Sequence, residues 1–148
     1  MRALIVLTSV AAVAAPPVPL HAQQAIKQRT ALYAYVPARV PLGFRYYRWS
    51  FTSKPAALRI VFRNNAGWEI SFVASPQAAC AGAGKEKSFQ LDGNKVYWSH
   101  TVAEQQAWRC VIGRNHAPIR LTATTTVPPA KFADSGLGQV AAAGRRIR

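Results

Sequence analysis

The chain has 148 residues, half of them apolar, with four Trp, five Tyr and six Phe. That composition excludes a disordered polymer. Nineteen Lys and Arg stand against five Asp and Glu, a formal charge of +14. The imbalance leaves few carboxylates for acid–base chemistry and favours encounters with polyanions or anionic surfaces.

Residues 1–22 read as an export tag. Met1-Arg2 is a positive start, and residues 3–15 (ALIVLTSVAAVAA) form a run of thirteen without charge, apolar except for Thr8 and Ser9. Pro16, Pro17 and Pro19 break it, and Leu20-His21-Ala22 offers a small residue ahead of Gln23 as a cleavage site. Such a run is too short to cross a hydrocarbon core of about 30 Å as a helix. The expectation is a periplasmic or extracellular protein with no transmembrane segment in the mature chain. Cleavage leaves 126 residues, 148 minus 22, enough for one domain. Only Arg2 is lost, so the charge falls from +14 to +13.

Residues 23–35 are ambiguous between a linker and a short helix, and residues 36–148 form the expected β-rich domain. A loop with Pro37, Pro41 and Gly43 leads into it; proline locks φ and biases its predecessor towards extended backbone. From there the apolar pattern has period two. Residues 44–51 (FRYYRWSF) are aromatic-rich and strand-like. Leu58, Ile60 and Phe62 share one face of the next segment, with Arg59, Val61 and Arg63 on the other. Asn64-Asn65-Ala66-Gly67 is a hairpin turn. Trp68, Ile70 and Phe72 then alternate with Glu69, Ser71 and Val73. Residues 74–84 are a loop of small residues carrying Cys80. Segments 86–91 and 95–100 flank a second turn at Asp92-Gly93-Asn94. In the following segment Trp108, Cys110 and Ile112 share a face, and residues 119–127 (IRLTATTTV) are β-prone.

Seven strands result, and their alternation predicts an antiparallel meander with one buried face. Pro128-Pro129 ends the last strand. Asp134 or Ser135 caps a short C-terminal helix reaching Ala143, with Gly144 as its stop and Arg145, Arg146 and Arg148 near its negative end. One helix of about ten residues, roughly 15 Å long, is too small to cover a seven-stranded apolar face. Either the sheet curls on itself, or residues 23–35 lie across it, or a ligand or partner fills the gap.

Cys80 and Cys110 are an even pair in an exported chain, which points to a disulfide. Two free thiols, or a metal pair with His100 or His116, are the alternatives, and neither tight C-x-x-C nor H-x₃-H spacing is present. No metal site and no cofactor is expected. Glu69, Glu86, Asp92, Glu104 and Asp134 show no pairing suited to general acid–base work. His100, with Ser88 or Ser99 as a conceivable nucleophile, lacks the glycine spacing of a nucleophile elbow. No catalytic residue is assigned. The basic residues are more informative: Arg59, Arg63, Lys95, Arg109 and Arg120 all fall on the expected polar face as a candidate anion-binding set.

The segment from Tyr35 to Tyr46 (YVPARVPLGFRY) resembles the Leu-Pro-x-Gly-Tyr opening of a family of exported bacterial domains of unknown function. That family is related to the curved sheet of the periplasmic lipoprotein carrier and of the lipoprotein-sensing anti-sigma regulator. The tail, with Leu137, Val140 and Ala143-Gly144, is similar to the family's short closing helix. The resemblance implies a curved antiparallel sheet and an envelope location, and it carries over no catalytic residue. The chain lacks the long helices that close the carrier's acyl cavity. The expected function is a non-enzymatic binding module for a lipid-like or polyanionic ligand, such as an anionic lipid or cell-wall polymer. A regulatory domain that binds another envelope protein is the alternative, and a small secreted hydrolase is the third.

Overall fold

A computed structural model describes residues 15–76, 87–100, 104–126 and 134–148. Helix α1 (Leu20–Thr30) and a 3₁₀ turn (Ala31–Tyr33) precede a short strand β1 (Tyr35–Pro37). Seven strands follow: β2 (Arg45–Ser53), β3 (Ala56–Arg63), β4 (Glu69–Pro76), β5 (Lys87–Leu91), β6 (Asn94–His100), β7 (Gln105–Ile112) and β8 (Pro118–Thr125). Helix α2 (Asp134–Ala142) and strand β9 (Gly144–Arg146) close the chain. The seven strands form one open antiparallel sheet, and β1 pairs with β9 in a separate two-stranded ribbon.

The turns explain the hairpins. Asp92 and Gly93 both hold positive φ, 50° and 77°, as a two-residue turn between twisted strands requires. The side-chain oxygen of Asn64 accepts from the backbone N–H groups of Ala66 and Trp68, and Gly67 supplies the positive φ that completes the β3–β4 turn.

The strands do not run as a simple meander. Their order is β2-β3-β4-β8-β7-β6-β5, so the chain leaves β4 and resumes on the far edge at β5. Strand β8 then takes the place beside β4, with Phe72 opposite Ala123 and Ala74 opposite Leu121. Short turns oblige successive strands to be neighbours, whereas a connection of ten residues (77–86) does not.

One face of the sheet is dry. Leu58, Ile60, Phe62, Ile70, Phe72, Ala74, Val96, Leu121 and Ala123 are fully buried there. Its cover comes from three of the chain's own elements. Leu137, Val140 and Ala141 of α2 pack over β6, β7 and β8. The ribbon contributes Tyr35 and Val36, with Ile147 just beyond its second strand. Helix α1 contributes Ala22 and Ile26, preceded by Val18. The sheet is not closed, and the segment ahead of β1 lies across it instead of the sheet curling on itself. Helix α1 also begins within the stretch read as an export tag: Val18 is 1% exposed and Ala22 2%.

The two chain ends are joined by the ribbon. Tyr35 lies opposite Arg146 and Pro37 opposite Gly144. The N–H of Ala38 donates to Ala143 at 2.9 Å, and that of Ile147 to Ala34 at 2.8 Å. Arg145 and Arg146 therefore belong to a strand instead of complementing the end of α2.

Close approach of α2 to the sheet depends on one small residue. A Cβ placed on Gly138 would lie 2.8 and 2.9 Å from the Phe89 ring and 3.2 Å from Leu91. Gly138→Val should therefore destabilise the domain by about 1–3 kcal/mol through overpacking, outweighing its gain in helix propensity. A urea-unfolding midpoint at or above that of the parent would refute this packing.

Candidate anion-binding face

The opposite, outer face carries the basic residues, and register decides which of them share it. Arg59 is exposed on β3 opposite Ser50 and Val73. Arg63 lies two pleats along, opposite Arg45 on one side and Glu69 on the other. Its guanidinium reaches Glu69 at 3.4 Å and stands 3.7 Å above the Tyr47 ring. Arg120 lies on β8 opposite Cys110, its guanidinium 4.3 Å from the centre of the Trp108 ring. Lys95, on β6, sits 5.3 Å from the Tyr97 ring. Tyr97 and Trp108 stack on each other with centroids 5.7 Å apart. Trp108, 3% exposed, is thus buried on the outer face beneath cations.

Arg109 does not belong to this face. Ala107 lies opposite Ala123 and Arg109 opposite Leu121, so the odd residues of β7 point to the dry side. The even set Trp108, Cys110 and Ile112 is the more apolar of the two, which is why alternation alone inverts the strand. Ile112 is in fact largely exposed. A guanidinium is tolerated beneath α2 because acceptors meet it there. Its Nε donates to the Ala141 carbonyl at 3.0 Å, one Nη to Asn94 Oδ1 at 2.9 Å, and the other Nη to the Gly144 carbonyl. Burial lowers its pKa from the ordinary arginine value.

Two arginines that alternation overlooks complete the outer cluster. Strand β2 has a bulge at Tyr47, between the pairs Tyr46–Phe62 and Arg48–Val61. The extra residue resets the parity, so Arg45 and Arg48, three apart, reach the same face. Both are exposed, and neither forms an ion pair among the described residues. Arg45, Arg48, Arg59 and Arg63 therefore gather on two neighbouring strands, where side chains directly opposite each other have Cβ atoms about 5 Å apart. Glu69 meets Arg63 of this cluster. Beside the cluster a shallow groove of about 430 Å³ is lined by Arg59, Glu69, Ser71, Val73, Glu104 and Thr124.

The remaining candidates are placed singly. Asp92 pairs with Arg39 at 2.9 Å. His116 occupies the β7–β8 turn at φ 60°. The side chains of His100 and Asp134 lie outside the described residues, as do Cys80 and Glu86. Cys110 is on the outer face opposite Arg120, and among the described residues no cysteine is a free thiol. Among the described residues no group of three His, Cys, Asp or Glu is placed to hold a metal ion, and no helix is long and apolar enough to cross a membrane.

No family, curated protein or solved structure matches this chain.

Arg109 is a structural residue, and its removal has a calculable consequence. Arg109→Ala leaves three acceptors beneath α2 without their donor and should cost about 2–4 kcal/mol, less than three times the roughly 1–3 kcal/mol of a fully buried unmet group because these bonds are only partly buried. Arg109→Lys should recover only part of that, because an ammonium lacks the planar fork. Urea unfolding of both variants measures it, and an unchanged midpoint for Arg109→Ala would contradict the assignment.

Proposed function

We propose that this chain is an exported, non-enzymatic binding module of the bacterial envelope whose outer sheet face takes a polyanion. The observation that carries the reading is the opposition of Arg45 and Arg63 across the β2–β3 ladder, with Arg48 and Arg59 alongside. Like charges set opposite each other destabilise a sheet. Glu69 offsets Arg63, and Glu104 borders the groove beside Arg59, so two carboxylates stand near four arginines. A phosphate- or sulfate-bearing polymer, or a layer of anionic headgroups, would neutralise the rest. The dry face supports the same choice, since α1, the ribbon and α2 already occupy the surface on which a lipid-like ligand would lie.

The export reading rests on the apolar leader and on the similarity of the proline-glycine loop to the curved-sheet envelope family. A Cys80–Cys110 disulfide belongs with it, supported by the lack of a free thiol at Cys110. Thiol titration of denatured, unreduced protein should find none. Reduction should then lower stability by roughly 3–4 kcal/mol, the loop-entropy value for a loop of about 30 residues. Two titratable thiols would remove the bridge.

Binding to heparin and to vesicles containing anionic lipid, followed across salt concentrations, tests the ligand class. A steep negative slope of log affinity against log salt is expected, each phosphate contact contributing roughly −0.9 on duplex-like polyanions. The double variant Arg45→Ser, Arg48→Ser should flatten the slope by roughly 2, about one per arginine, without unfolding the sheet, because both residues are exposed. Binding that ignores salt, or no binding, would dispose of the reading.

A further inference from the structure

The structure gives the segment before Gln23 a place in the folded domain. Ala22 and Ile26, four apart, stack on one side of α1, and Val18 reaches the same core from the bend just ahead of it. All three are core residues, and Ile26 is 0% exposed. The backbone ahead of Gln23 is tied as well. Gln23 donates through its backbone N–H to the Pro19 carbonyl at 3.0 Å, closing the first helical turn, and through Nε2 to the Val18 carbonyl at 2.8 Å. Ala15, Pro16 and Pro17 border a groove with Ala38 and Arg145, beside the ribbon.

A cut after Ala22 would undo each of these contacts. It would strip Val18 and Ala22 from the core, remove the opening residues of α1, and leave eight helical residues, Gln23–Thr30. The new α-ammonium would also stand at the positive end of that helix, where a cation is unfavourable. The site is poor in local chemistry too: the residue three positions from the bond is Leu20, whereas leader cleavage favours small residues there.

The sequence holds a better match upstream. Ala12-Val13-Ala14 has the small-x-small form of a leader cleavage site, and residues 3–11 before it give a stretch of nine, apolar except for Thr8 and Ser9, within the usual range. Cutting one residue later would require breaking the bond to Pro16, an amide without an N–H. Cutting between Ala14 and Ala15 meets no such obstacle and keeps every contact described above.

We infer that the leader is hydrolysed at the Ala14–Ala15 peptide bond, water being added across it, so that the mature domain begins with the proline strap and retains the whole of α1. The inference rests on the export reading, and its test separates the two. The full chain, leader included, is expressed in a bacterium and recovered from the exported fraction for intact mass and N-terminal sequencing. An N-terminus at Ala15 is expected. A start at Gln23 would overturn the inference while leaving export intact, and Met1 retained in the cytoplasm would overturn both. Two variants sharpen the result. Ala14→Trp should abolish the Ala15 product. Leu20→Asp, at a residue 69% exposed, should leave processing unchanged; its loss in that variant would place the cut after Ala22 and refute the inference.

Discussion

The joint at Arg109 holds the architecture together. One guanidinium donates to the carbonyl of Ala141 near the end of α2, to that of Gly144 at the start of β9, and to Asn94 of β6. It therefore ends the helix, starts the ribbon and anchors both to the sheet. A helix leaves its last carbonyls without internal partners, and a nearby cation both satisfies them and complements the dipole. The ribbon can then cross the dry face only because the chain turns at Gly144. A Cβ there would come within 2.7 Å of Leu121 and 3.1 Å of Phe72.

With the ribbon fixed, both ends of the chain lie over the same apolar face, and that placement determines what the other face is free to do. The open sheet needs no curling to stay dry. Its apolar residues meet Ile26, Val36, Leu137 and Val140, and none of these elements is borrowed from a partner. The outer face is left to Arg, Ser and Thr, with Val61 and Trp108 as its buried islands.

Much of this was legible in the sequence, for a local reason. All seven strands follow from period-two alternation, sharpened by the turns at residues 64–67 and 92–93 whose residues favour positive φ, and the short C-terminal helix follows from its apolar pair and preceding prolines. What escaped depended on non-local pairing. Strands β1 and β9 have three residues each, too few to show a period, and they pair across nearly the whole chain. The place of β8 beside β4 is invisible because the intervening connection imposes no neighbour. The inversion of β7 arose because Trp108 and Cys110 outweigh Ala107 and Val111 in hydrophobicity, while the acceptors that make Arg109 acceptable inside come from distant segments. Helix α1 straddled the expected cleavage point, with Ala22 before it and Ile26 after it, so neither half looked like a helix by itself.

The arginines of β2 admit two physical explanations, protection of a sheet edge and the proposed anion binding. Strand β2 is an edge of the sheet, with a nine-residue row available for pairing with another chain. Charged residues and a bulge are the usual defences of such an edge, and Arg45, Arg48 and the Tyr47 bulge fit that role. Defence of an edge, however, asks only for charge somewhere along the rim. It does not ask for Arg63 and Arg59 on the interior neighbour β3, nor for Arg45 to face Arg63 across the ladder, an arrangement of like charges that Glu69 offsets on the Arg63 side. Protection accounts for the rim. The second row, one strand further in, is what an extended anion lying across both strands would require.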